Sequence, residues 1–97
     1  MVTKYVFRKF VIGKKIRIMR IILYGRKGHA HTVAFKNYLK MSEIPFIYKD
    51  IFLDEEAKEH TKELYGGMLK FPTLFVDGEV YLIPTTDEFN KIMKELI

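Results

Sequence analysis

Apolar positions along the chain follow two rhythms, and their order predicts the elements. Arg20–Tyr24 (Arg-Ile-Ile-Leu-Tyr) is a β-branched apolar run bounded by Gly25, which predicts a buried strand. After a loop over Gly25–Gly28, Val33, Ala34, Tyr38 and Met41 recur at three- and four-residue spacing and predict a helix to about Lys40. Pro45–Asp50 reads as a second strand, with Phe46, Ile47, Tyr48 and Ile51 supplying bulk. Asp54 is a good N-cap, and Glu55 and Glu56 sit where a helix dipole favours anions. Ala57, Thr61, Leu64 and Tyr65 mark one face of that helix, and Gly66-Gly67 stops it. Phe71–Val76 leads into a strand, Asp77-Gly78 is the turn of a type I′ hairpin, and Glu79–Ile83 returns antiparallel. Thr85 with Glu88 makes a capping box, and Phe89, Ile92, Met93 and Leu96 form the stripe of a last helix.

The order is β-α-β-α-β-β-α. Its first part can form a right-handed parallel β-α-β unit, and the hairpin adds two antiparallel strands. The predicted class is α/β, a four-stranded mixed sheet covered by three helices. A chain of 97 residues makes one such domain, and at 48% hydrophobic it builds a single modest core. No apolar run is long enough for a membrane-spanning helix. There is no cysteine, so disulfides, a thiolate nucleophile and Cys-ligated metal are excluded. Nothing points to secretion, and a cytoplasmic location is expected.

The net charge of +5 is unevenly placed. Residues 1–18 hold Lys4, Arg8, Lys9, Lys14, Lys15 and Arg17 and no acidic residue, which leaves the remainder at −1. This segment is open to three readings: a basic arm for nucleic acid or an anionic membrane, a targeting peptide, or an upstream start dispensable to the fold. The second lacks the Ser-rich or apolar composition it needs. Met19–Ile97, at 79 residues, is long enough for the whole fold. The expected division is therefore a basic extension over residues 1–18, disordered or not native, and a domain over residues 19–97. Val6, Phe7, Phe10, Val11 and Ile12 would still let the extension pack as an extra strand or helix.

From Met19 to Ile97 the chain resembles the glutaredoxins, the short thioredoxin-fold proteins. In that family Tyr, a short loop and Cys-Pro-Tyr-Cys precede a helix. A Thr-Val-Pro segment with cis proline, a strand, Asp-Gly, a second strand and Gly-Gly-x-Asp before a last helix follow. This chain has Tyr24, Gly-Arg-Lys-Gly, then His29-Ala30-His31-Thr32; Lys70-Phe71-Pro72; Asp77-Gly78; and Pro84-Thr85-Thr86-Asp87. The resemblance implies a thioredoxin-like, glutaredoxin-type fold with a cis Phe71–Pro72 bond.

The departures matter as much. His29 and Thr32 stand at the positions of the two cysteines, and neither can form the mixed disulfide that thiol–disulfide exchange requires. The Gly-Gly pair is replaced, and the hairpin before it looks longer. Part of a glutathione site is implied nonetheless. Arg26 falls where the family often places a cation on the tripeptide's carboxylate. Phe71, before Pro72, would offer its backbone to an extended ligand. Thr86 and Asp87 match the positions that hold the γ-glutamyl end. Against this, Arg26 is also an ordinary loop residue, and Thr85–Glu88 is how any helix starts.

His29 and His31 invite a metal. Residues two apart on a helix diverge by about 200°, so the two converge only if His29 precedes the first helical turn. Structural zinc needs four ligands and catalytic zinc usually three, and His60 lies in another helix as a half-buried packing residue. No metal site is expected, with His29 and His31 as the weak alternative.

The leading expectation is a non-catalytic binding module for an extended peptide or glutathione-like ligand. Its candidate residues are Arg26, His29, Thr32, Phe71, Pro72, Thr86 and Asp87; no catalytic residue is named, and no cofactor beyond glutathione. One rival is a non-redox transferase or hydrolase that uses His29 as acid–base. The other is a nucleic-acid or membrane adaptor working through Lys4–Arg20, for which the nearly neutral domain gives nucleic acid little support. A protein partner remains open.

Overall fold

The structure is a computed structural model that describes residues 8–12 and 15–96. Within the basic N-terminal segment, β1 (Arg8–Ile12) and β2 (Lys15–Met19) pair antiparallel as a separate two-stranded sheet. The rest of that segment lies outside the described residues. Seven elements follow: β3 (Ile21–Gly25), α1 (Ala30–Met41), β4 (Ile47–Asp50), α2 (Glu55–Leu64), β5 (Thr73–Val76), β6 (Glu79–Leu82) and α3 (Thr86–Leu96). The order from β3 onward is the one the sequence predicts. The four strands form a mixed sheet in the order β4-β3-β5-β6, with β4 parallel to β3 and the other pairs antiparallel.

Period-two alternation sends each strand's side chains to opposite faces of this sheet. Ile21, Leu23, Leu74 and Val76 join Phe35 and Leu39 of α1 and Phe89, Met93 and Leu96 of α3 in the larger core. Tyr24 and Phe75 join Ile51 and Ala57 in a smaller core under α2. The result is three layers, with α1 and α3 on one face and α2 on the other. Stacking of Phe35 on Phe89, 4.0 Å between ring centres and 6° from parallel, ties the two helices of the larger core.

Local chemistry sets the boundaries. Asp54 Oδ1 accepts from the Ala57 N–H at 2.9 Å, which starts α2. Thr85 and Glu88 exchange side-chain to backbone bonds of 2.8 and 3.1 Å, the predicted capping box of α3. Asp77 and Gly78 both have positive φ, at 50° and 92°, as a type I′ turn requires.

The face of α1 differs from the one its spacing suggested. Val33, Ala34, Tyr38 and Met41 are exposed, Met41 at 84%, while Thr32, Phe35 and Leu39 are buried. Two stripes offset by one position both satisfy a helical period. The bulk of Phe35 and Leu39 decides between them, because the space between sheet and α3 accepts large side chains.

Candidate functional site

One carboxylate ties the loop from Gly25 to His29 to the loop after β4. Asp50, at the end of β4, accepts the Lys27 N–H on Oδ2 at 2.9 Å and the Phe52 N–H on Oδ1 at 2.8 Å. The Ile51 N–H donates to the Gly25 carbonyl at 3.0 Å. Two loops that follow adjacent parallel strands are thereby laced together. Arg26 lies with its guanidinium 4.9 Å from the centre of the Phe52 ring, within cation–π range. Among the described residues Arg26 has no ion pair, so its charge faces outward with only an aromatic neighbour.

His29 is the N-cap of α1, with φ −76° and ψ 122°. Its Nδ1 accepts from the Thr32 N–H at 3.3 Å and lies 3.1 Å from the Thr32 hydroxyl. Thr32 is 1% exposed. Its hydroxyl also meets the Arg26 N–H at 3.5 Å, and its side chain lies where a Cβ on Gly25 would be. Thr32 therefore supports the loop from below and is not itself open to a ligand. No acidic side chain stands in the first turn of α1, so the positive end of its dipole is uncompensated there.

The Phe71–Pro72 bond is cis, as the resemblance implied. Pro72 is buried and Phe71 half-buried. The Phe71 ring meets the His29 ring edge-on at 4.8 Å and the Phe52 ring edge-on at 5.9 Å. Arg26, Phe52, Phe71 and His29 thus form one continuous surface at this end of the sheet. Among the described residues no backbone hydrogen bond engages the Phe71 N–H or carbonyl, whereas the next carbonyl, of Pro72, accepts from the Ile83 N–H at 3.0 Å.

The structure brings Arg26, His29, Thr32, Phe71 and Pro72 together. Thr86 and Asp87 stand exposed on the first turn of α3, outside the ring and hydrogen-bond contacts that join the others. His31 packs its ring on Phe35 at 4.5 Å, and its ring centre is 6.3 Å from that of His29. Among the described residues no group of three His, Cys, Asp or Glu side chains could share a metal ion. His60 accepts or donates a 2.9 Å bond with the Tyr24 hydroxyl and stacks on Phe75 at 5.5 Å, a packing role.

A model of the glutaredoxin family matches residues 21–81. The chain belongs to the glutaredoxin family. Solved structures place the fold in the same group. The thioredoxin-like protein BC3987 superposes with a TM-score of 0.63 at 22% identity, over 79% of this chain and 99% of that one. A glutaredoxin from Archaeoglobus fulgidus gives 0.60 at 17%, over 76% and 85%. Glutaredoxin 1 from Francisella tularensis, complexed with cacodylate, gives 0.59 at 18%, over 80% and 95%. No curated protein sequence matches the chain. This glutaredoxin-family domain has no cysteine anywhere in its sequence. No helix among the described residues is long and apolar enough to cross a membrane.

Two parts of the site were not read from the sequence. Phe52 lies in a turn without periodicity and Asp50 ends β4, and an exposed aromatic and a strand-end carboxylate carry no distinguishing signal. Only the three-dimensional approach of the two loops reveals that Phe52 shelves Arg26 and that Asp50 anchors the next residue, Lys27, by its backbone.

Proposed function

We propose that this cytoplasmic glutaredoxin-family domain is a binding module without thiol–disulfide activity. Its ligand is an extended peptide or glutathione-like molecule with a free carboxylate. The observation that carries the reading is the unbonded main chain of Phe71 beside the outward-facing charge of Arg26. An extended ligand would pair its backbone with Phe71, since main-chain hydrogen bonds give affinity in strand addition. Arg26 and the open N-terminus of α1 favour an anionic group at one end. The edge of Phe71 and the face of Phe52 offer apolar contact between them. Thr86 and Asp87 are candidates for the ligand's far end, with an amino group suited to Asp87.

A titration that watches the backbone amides of Phe71, Thr73, Thr86 and Asp87 tests this reading. Glutathione, its analogues or short peptides should give saturable shifts there at or below millimolar concentration. Silence at all four amides would reduce the groove to a relic of the fold.

A further inference from the structure

The far edge of the sheet carries a second surface, remote from the cis-proline end. Strand β6 is terminal and, among the described residues, pairs only with β5. Val80, Leu82 and Ile83 along it are exposed at 42%, 50% and 38%. A groove of about 470 Å³ runs between β6 and α3, past Val80, Leu82 and Ile92. A second hollow continues it toward the start of β6, sharing Tyr81, Ile92 and Glu95. Glu79, Glu88 and Glu95 border these hollows against one cation, Lys91. An open strand with apolar side chains is a template for another strand, and proteins usually cover or charge such an edge.

The chain contains a segment of matching chemistry. Residues 8–19, which include β1 and β2, hold five basic residues and no acidic one. The two strands form a sheet of their own. A lone two-stranded hairpin is marginal in water and gains from added strands.

Chain length decides whose edge it can reach. Only Arg20 separates β2 from β3, so Met19 and Ile21 lie at most about 7.6 Å apart. Strands in a sheet are spaced by about 4.8 Å, which puts the open side of β6 some 14 Å from β3 and the open side of β4 about 10 Å away. Even with one strand spacing added for the width of the hairpin, the β6 edge of its own sheet is out of reach. The β6 edge of another molecule is within reach.

We propose that a second copy of this chain covers the β6 edge: the basic hairpin of each protomer adds to β6 of its partner and seats beside Glu79, Glu88 and Glu95. The exchange is mutual, so it closes as a two-fold dimer with both β6 edges covered. Sedimentation analysis of the full chain tests it, using two sets of surface charge reversals. One carries Arg8→Glu, Lys9→Glu, Lys15→Glu and Arg17→Glu; the other carries Glu79→Lys and Glu95→Lys. The unaltered chain should be a dimer that high salt loosens, and each variant alone should dissociate about tenfold more readily or worse. An equimolar mixture of the two variants should restore a heterodimer, because each reversed hairpin then meets a reversed groove. Circular dichroism confirms that both variants are folded. A monomer at every concentration, a dimer indifferent to both reversals, or a mixture that stays monomeric would overturn the proposal. So would a monomeric chain whose arm binds a DNA duplex or an anionic vesicle instead.

Discussion

His29 Nδ1 lies 3.3 Å from the backbone nitrogen of Thr32 and 3.1 Å from its hydroxyl. These are the two positions where the family resemblance places a cysteine pair, and here they bond to each other as a helix cap. His29→Ala should therefore cost about 1 kcal/mol of stability, the usual loss of an N-cap acceptor. His29→Asp should recover most of it, since a carboxylate can accept the same N–H and suits the helix dipole. Urea denaturation of the three proteins checks this, and an unchanged midpoint for His29→Ala would contradict it.

Gly25 lies against the same threonine. A Cβ there would overlap Thr32 Cγ2, inside a packed loop with no flexible side chain to yield. Gly25→Ala should cost about 1–3 kcal/mol by overpacking. Thermal unfolding followed by circular dichroism reads the loss; equal stability would mean that the Thr32 side chain can turn away.

Much of this fold is legible because its signals are local. The Asp54 cap, the Asp77-Gly78 turn and the Thr85–Glu88 box each use residues a few positions apart, and all three form as read. The face of α1 was not legible, because two stripes fit the same period and only the packing of Phe35 and Leu39 between sheet and α3 selects one. The site was legible where the family resemblance supplied positions, at Arg26, His29 and Phe71. Position alone did not show that Thr32 is buried, that Asp50 laces two loops, or that Phe52 lies under Arg26. Those facts depend on residues distant in sequence.

Alkaline pH should destabilise the domain. Burial is the main cause that raises the pKa of Tyr48, Tyr65 and Tyr81 above the ordinary 10.0. Below that value each phenol is neutral whether the chain is folded or not, and its contribution is intact. As pH rises toward the folded values, the unfolded chain ionises first and stability falls. Tyr65→Phe should lessen this fall while costing about 1 kcal/mol at neutral pH, because the 2.7 Å bond between the Tyr65 and Thr73 hydroxyls is lost. Denaturation midpoints from pH 7 to 11 test both effects together. A steeper alkaline fall in the variant would refute the assignment to Tyr65.

Thiol–disulfide exchange should be absent. The chain has no sulfur nucleophile, so reduction of insulin or of a mixed glutathione disulfide should proceed at the uncatalysed rate. The double change His29→Cys with Thr32→Cys should introduce weak activity, because a thiol at the start of α1 is held where the helix dipole lowers its pKa. Turnover by the unaltered chain would require a different chemistry from the one described.

The central claim is that the groove kept a ligand after the thiols were lost. Its most direct test compares one extended peptide in two forms, with a free C-terminal carboxylate and with an amide in its place, against the full chain and Arg26→Glu. On the full chain the carboxylate form should bind about tenfold tighter and shift the Phe71 amide, and Arg26→Glu should abolish that preference while leaving the fold intact. Equal affinity of the two forms for the full chain, or a preference that survives Arg26→Glu, would contradict the account.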